Sequence, residues 1–158
     1  MKRLILFGAI LLMSFQTKVM EGVVTNVQDG DTIEVTVDGK VILIRLNGID
    51  CPEDGQGFSA KAKQYTTLHS LKKKVKIEKV DTDPKGRMVA NVTLENGTNL
   101  SHLIVSNGYA WHYKKFSKDK KLGELEAEAR KKKVGLWIEE NPVSPWDFRE
   151  KKKKEKVN

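Results

Sequence analysis

One cysteine, Cys51, stands alone among 158 residues. An internal disulfide needs two, so the folded chain depends on its core and on whatever ion it binds. No cysteine follows the apolar stretch near the N-terminus, which excludes attachment through a lipidated cysteine there. Long hydrophobic runs are missing as well: residues 4–15, interrupted by Gly8 and Ser14, fall short of the roughly 20 that a spanning helix requires. Only three histidines occur, His69, His102 and His112, and none stands in a recognisable partner motif. There is no internal repeat. The length accommodates one core and not two, so one domain is expected.

Met1, Lys2 and Arg3 ahead of the apolar stretch form the charged and hydrophobic regions of a secretory signal. Residues 1–20 are assigned to it. Residues 14–19 offer no pair of small residues at Ala-x-Ala spacing, so the cleavage position stays open. The expectation is a secreted or periplasmic protein, with an uncleaved N-terminal anchor facing outside as the alternative. Lys and Arg outnumber Asp and Glu by 29 to 21, a formal net charge of +8. That field attracts polyanions such as nucleic acid or an anionic membrane surface, or else it only keeps the protein soluble.

Beyond the signal, apolar residues recur with the short period of strands. Residues 21–28 carry Val23, Val24 and Val27 and run into Asp29, Gly30 and Asp31. Residues 32–37 alternate, with Ile33, Val35 and Val37 on one face and Thr32, Glu34 and Thr36 on the other. Asp38 and Gly39 suit a two-residue type I′ turn, so residues 40–49 are expected to return antiparallel. The period lengthens over residues 58–71, where Phe58, Ala62, Tyr65, Leu68 and Leu71 mark an amphipathic helix. Residues 75–80 and 88–94 read as two more strands. Leu100, Leu103 and Ile104 ahead of Gly108, and Leu122, Leu125 and Ala129 ahead of Gly135, read as two further helices. Five short antiparallel strands with a helix after the third predict an α+β fold, a five-stranded OB-fold β-barrel with three packed helices, over residues 21–148. Residues 149–158, with the run Lys151 to Lys154, are expected to form a disordered tail, solvated or touching nucleic acid.

Three segments carry candidate chemistry. Asp29, Gly30, Asp31 and Thr32 make a good turn and nothing more when taken alone. Arg45 ends an apolar strand and is followed by Asp50 and Glu53, which is either a structural ion pair or half of a reactive site. Asp83, Pro84, Lys85, Gly86 and Arg87 form a tight basic turn, solvated in the plainest reading. Together they supply carboxylates for a hard cation, a carboxylate for proton transfer and two guanidinium groups. Phosphodiester hydrolysis asks for that set, because its transition state gathers charge on non-bridging oxygens that arginine forks and a divalent ion stabilise. Trp111, His112 and Tyr113 are candidates for stacking on bases or, equally, for packing the barrel against the last helix.

The order Asp-Gly-Asp-Thr at 29–32, Arg-Leu-x-Gly-Ile-Asp-x-Pro-Glu at 45–53, Lys-Gly-Arg at 85–87, Gly-Tyr-Ala-Trp at 108–111 and Gly-Leu-Trp at 135–137 resembles the thermonuclease family typified by staphylococcal nuclease. The likeness covers roughly residues 22–146. It implies an OB-fold domain that hydrolyses DNA and RNA with Ca2+, leaving 3′-phosphate ends, and implies no obligate protein partner, a monomer being expected. Asp31 and Asp50 match metal-binding carboxylates, and Cys51 matches a position that binds the ion through its main-chain carbonyl. Arg45, Glu53 and Arg87 match the catalytic residues: a phosphate clamp, a base acting on water, and a support for the leaving 5′-oxygen. Asp29 matches an acidic position near the ion. Lys85 stands where the founding member has an aromatic residue, and with Trp111 and Tyr113 is a candidate substrate contact. The connection from Glu53 to the helix at Phe58 is much shorter than in the founding member, so Glu53 is expected to be held differently. Two rival readings remain: a non-catalytic OB-fold nucleic-acid-binding module, and a cysteine hydrolase built on Cys51 with one of the histidines.

Overall fold

The computed structural model describes residues 19–156. The segment read as a secretory signal, and the export it implies, lie almost wholly in residues 1–18, outside the described residues; the first strand begins at Val19, two residues inside the segment assigned to the signal.

Strands β1 (Val19–Val27), β2 (Thr32–Val37) and β3 (Lys40–Leu46) form an antiparallel meander. Asp38 and Gly39 both take positive φ, 47° and 75°, in the two-residue turn joining β2 to β3, as the Asp-Gly pair predicts. After the two-residue β4 (Ile49–Asp50) and helix α1 (Ser59–Ser70), β5 (Lys74–Thr82) pairs with β1, and β6 (Met88–Leu94) pairs with β5. The barrel closes in the order β1-β2-β3-β6-β5, an OB-type arrangement in an α+β fold. One expectation is corrected at the seam: β3 and β6 run parallel, because the chain crosses the barrel between them instead of turning back in a hairpin.

Inward positions alternate as the strand period requires: Val24, Ile33, Val35, Ile44, Leu46, Val75, Ile77, Ala90 and Val92 are all fully or almost fully buried. Helix α2 (Leu100–Ser106) packs Leu100, Ile104 and Val105 into this core, and α3 (Lys120–Lys132) adds Leu122. Helix α1 departs from its expected stripe. Leu68 is exposed, and the face against the barrel is Ala62, Thr66 and Ser70, small residues four apart. Only small side chains fit there, because the helix lies directly on the loop at Gly30: Thr66 Oγ1 donates to the Gly30 carbonyl at 2.6 Å.

The lysine-rich C-terminus is also corrected. Residues 145–155 form a fourth helix, α4 (Pro145–Glu155), where a disordered tail was expected from residue 149. Ser144 caps it, its Oγ accepting from the Asp147 N–H, and proline occupies the first turn, where its missing N–H costs nothing. Trp146 anchors the helix to a second, aromatic cluster with Trp111 and Trp137.

Candidate active site

Asp31 closes the turn after β1 and is folded back by its own neighbours. Its N–H donates to Asp29 Oδ1 at 3.0 Å, an Asx turn, and its carbonyl accepts from Leu46 N–H at 2.8 Å. Its carboxylate therefore points along the end of β3, where β2–β3 pairing sets Thr32 opposite Arg45. Arg45 reaches two carboxylates at once. Nη1 donates to Asp31 Oδ1, and Nη2 donates to Asp50 Oδ1 at 2.6 Å and to the Ile49 carbonyl at 3.3 Å. Asp31 Oδ2 accepts from the Cys51 N–H at 2.6 Å. Both aspartates are buried, Asp31 at 1% and Asp50 at 0% exposure, so each needs these partners.

Asp50 owes its place to a small second sheet. β4 pairs antiparallel with β7 (Trp111–His112), setting Asp50 opposite Trp111. The parallel β3–β6 seam brings in the third segment: Arg45 lies beside Val89, and Arg87 enters the same end of the barrel just ahead of β6. Arg87 Nε donates to Asp83 Oδ2 at 2.7 Å and Nη1 to Thr32 Oγ1 at 3.1 Å. Thr32, expected on the outer face of its strand, is buried here as the link between Arg87 and Asp31. The three segments separated in sequence thus meet around one barrel end.

The electrostatics are unbalanced. Burial raises the Asp31 carboxyl to about 7; the Arg45 charge opposes this without overcoming it, and Asp29 and Asp50 add smaller repulsions. Burial works against the Arg45 charge too, but Asp31 and Asp50 outweigh it and hold the guanidinium firmly protonated. At Asp83, hydrogen bonds from Arg87 overcome partial desolvation and lower the carboxyl below its ordinary range. The donors are carboxylate oxygens with no imidazole or thiolate among them, and such a set suits a hard cation. Among the described residues no group of three or more His, Cys, Asp and Glu side chains is arranged to hold an ion unaided. A cation at this place would draw on Asp31 and Asp50 together with main-chain or water oxygens.

One member of the site was not legible as such in the sequence. Arg149, on α4, donates through Nη2 to Asp50 Oδ2 at 2.9 Å and through Nη1 to Asp50 Oδ1 at 3.2 Å and Glu53 Oε1 at 2.5 Å. The signals for it were the Ser-Pro-Trp-Asp capping pattern at 144–147 and a third tryptophan to bury, both outweighed by the lysine run that follows.

The remaining candidates divide. Glu53 lies at the rim with its side chain 37% exposed and faces Arg149. Lys85 is exposed on the turn between β5 and β6, its N–H donating to Asp83 Oδ1. Trp111 packs edge-on to Trp137 and Trp146, with Arg130 over its ring, so of its two expected roles packing describes it. Tyr113 is half-buried and stacks on Trp146, ring centroids 5.3 Å apart and planes within 3°, at the wall of a groove of about 310 Å³ that also holds Lys114 and Lys115. Cys51 is buried, and burial together with the nearby Asp31 pushes its thiol well above the ordinary range. His102 pairs with Asp119 at 2.8 Å, His69 packs on Tyr65, and both ring nitrogens of His112 lack a partner among the described residues. A thiol held protonated with no histidine hydrogen-bonded to it is no nucleophile, and the cysteine-hydrolase reading falls.

Comparison with known proteins identifies relatives of the chain. A family model described as Staphylococcal nuclease homologue matches residues 43–139. A protein named micrococcal nuclease from Shigella flexneri is 35% identical over 138 residues, covering 81% of this chain and 79% of that one. An endonuclease from Escherichia coli O157:H7 is 37% identical over 133 residues, 84% of this chain and 87% of that one. Staphylococcal-like nuclease CAN1 of Arabidopsis thaliana is 35% identical over 114 residues, 72% of this chain and 35% of that one. With more than half its length matched and relatives aligned over four fifths of it, the chain belongs to the staphylococcal nuclease homologue family.

Proposed function

We propose that the protein is a calcium-dependent nuclease that hydrolyses phosphodiester bonds in DNA and RNA with little sequence preference, leaving 3′-phosphate ends. The observation that carries this reading is the meeting of Arg45, Arg87, Asp31, Asp50 and Glu53 at one barrel end on a chain of net charge +8. Nuclease names among the relatives support the class of reaction. Asp31 and Asp50, with the Cys51 main-chain carbonyl, would hold Ca2+, which when bound supplies positive charge to non-bridging phosphate oxygens.

The protein's own groups divide the remaining work. Arg45 ends β3 with its fork turned to the site, so one edge can leave an aspartate for a phosphate oxygen without the side chain moving far. Arg87 is braced by Asp83 at Nε and Nη2, which fixes its plane and leaves Nη1, held by Thr32 Oγ1, to turn to charge developing on the leaving 5′-oxygen. Glu53, the most exposed of the three site carboxylates, would accept a proton from the attacking water as the new P–O bond forms, while the 5′-oxygen released as the P–O5′ bond breaks takes a proton from solvent. Asp29 orders the Asp31 turn from below. Lys85, exposed on the β5–β6 turn, and Tyr113, in the groove with Lys114 and Lys115, would contact the nucleic-acid strand.

Nuclease assays on single-stranded DNA and on RNA, with calcium or with chelator, test the reading. Cleavage is expected with calcium and none with chelator. Arg45→Ala and Arg87→Ala should each lower kcat by about 10²–10³-fold, the range for loss of one charge-stabilising donor, and Glu53→Gln should abolish most turnover. Tight binding without cleavage would assign the chain instead to the non-catalytic OB-fold modules that bind nucleic acid.

A further inference from the structure

Three contacts tie the loop carrying Glu53 to the C-terminal segment, and all three bridge nearly a hundred residues of chain. Gln56 Nε2 donates to the Val143 carbonyl at 2.6 Å, Lys152 Nζ to the Asp54 carbonyl at 3.2 Å, and Arg149 Nη1 to Glu53 Oε1 at 2.5 Å. Within the loop, Gln56 also accepts from the Glu53 N–H through Oε1 at 3.0 Å, so the same amide side chain holds the Glu53 backbone on one side and the C-terminal segment on the other. Only five residues separate Glu53 from the start of α1. Among the described residues the Glu53 side chain has no hydrogen-bond partner except Arg149. A half-exposed glutamate on a short loop otherwise samples several rotamers.

We infer that α4 is a strap over the reactive end of the barrel, and that Arg149 is a positioning residue that holds Glu53 in line with Asp50. The guanidinium plane suits the task. Nη2 and Nη1 grip both oxygens of Asp50, which is itself fixed by β4–β7 pairing and by Arg45, so Asp50 is the rigid post against which Nη1 sets Glu53. The helix is held at the right height by its own first turn. Trp146, one turn before Arg149, packs against Trp111, the residue paired with Asp50, and stacks on Tyr113. A lysine at 149 would present one point charge and could not bridge the two carboxylates in a fixed plane. The inference rests on the reading of Glu53 as the base. It adds that the C-terminal helix, lysine-rich as it is, contributes to the chemical step through Glu53 and not only to attraction of the polyanion.

The test uses the full chain with calcium and single-stranded DNA, measuring kcat and KM for the wild type, Arg149→Ala, Arg149→Lys, Glu53→Gln and the Glu53→Gln/Arg149→Ala double variant, with thermal melts alongside. Arg149→Ala should lose about 10–100-fold in kcat, as supporting residues around a reactive group do, with KM changed less than about twofold. Arg149→Lys should show most of that loss with an unchanged melt, which keeps the test decisive should the alanine variant melt early. In the Glu53→Gln background the Arg149 change should cost less than about twofold, because the residue acts through a carboxylate already disabled. Added guanidinium ion should restore part of the rate to Arg149→Ala and none to the double variant. Wild-type kcat in Arg149→Ala and Arg149→Lys, or losses that add fully to Glu53→Gln, would overturn the positioning role; a raised KM with unchanged kcat would transfer Arg149 to substrate binding. If Glu53→Gln turns over like the wild type, the base assignment fails first and the inference with it. An inactive Glu53→Gln beside a fully active Arg149→Ala refutes the strap alone.

Discussion

Arg45 and Asp31 show how much a single buried charge constrains its neighbours. Neither can leave water alone, and their positions follow from strand pairing that puts Thr32 opposite Arg45 and turns Asp31 inward. Asp31 nonetheless pays for burial in its proton affinity, with a carboxyl raised from its ordinary 3.8 to about 7. A raised folded-state value means that the native protein binds this proton more tightly than the unfolded chain. The stability it contributes is complete below about pH 4 and is lost as pH climbs through 7. In the absence of metal, the wild type should therefore lose melting temperature relative to Asp31→Asn between pH 4 and pH 8. Calcium should return that loss at pH 8 and do little at pH 4, where a protonated Asp31 cannot bind it. Thermal melts at the two pH values, with and without calcium, make the comparison; parallel curves for the two proteins would remove Asp31 from the cation's surroundings. At this scale charge logic and the family resemblance single out Asp31, Arg45, Asp50 and Arg87, and the structure brings these four residues to one barrel end. The Asp31 imbalance was not legible, because burial and the approach of Asp29 and Asp50 arise only when the loops meet.

Elements were legible where their apolar period was strong. β2 and β6 fall where alternation places them, β3 (Lys40–Leu46) lies within the 40–49 return expected from the Asp38-Gly39 turn, and α2 and α3 fall where Leu100, Ile104, Leu122 and Ala129 recur. Helix α1 was found but its buried face was not: a Leu68 stripe is the usual signal, whereas contact with the Gly30 loop selects Ala62, Thr66 and Ser70. Helix α4 was missed because it has almost no apolar stripe of its own. Pro145 and Trp146, after the buried Ser144, pack its first turn on the domain, Arg149 and Lys152 add polar contacts to the Glu53 loop, and residues 151–154 are all lysine. Such a helix depends on its cap more than a core helix does. Ser144→Ala should weaken it by about 1 kcal/mol, so that amides of residues 145–155 exchange faster while those of β2, β3 and β6 do not change. Uniform loss of protection across both would instead make Ser144 part of the global core.

Across the whole molecule the barrel supplies rigidity and its loops supply chemistry. A closed sheet leaves no edge to fray, and one end of it receives the β1–β2 turn, the end of β3, the β5–β6 turn and, over them, α4. Asp29 and Asp31 come from the first, Arg45 and then Asp50 and Glu53 from the second, Asp83 and Arg87 from the third, and Arg149 from the fourth. The excess of 29 basic over 21 acidic residues gives the remaining surface its attraction for polyanions. The proposed activity draws on this arrangement. The most direct measurement is product analysis of an end-labelled single-stranded DNA incubated with the purified protein and calcium. Fragments ending in 3′-phosphate, and none when a chelator is present, are the predicted result. An intact strand, fragments ending in 3′-hydroxyl, or cleavage that persists through thorough chelation would contradict it.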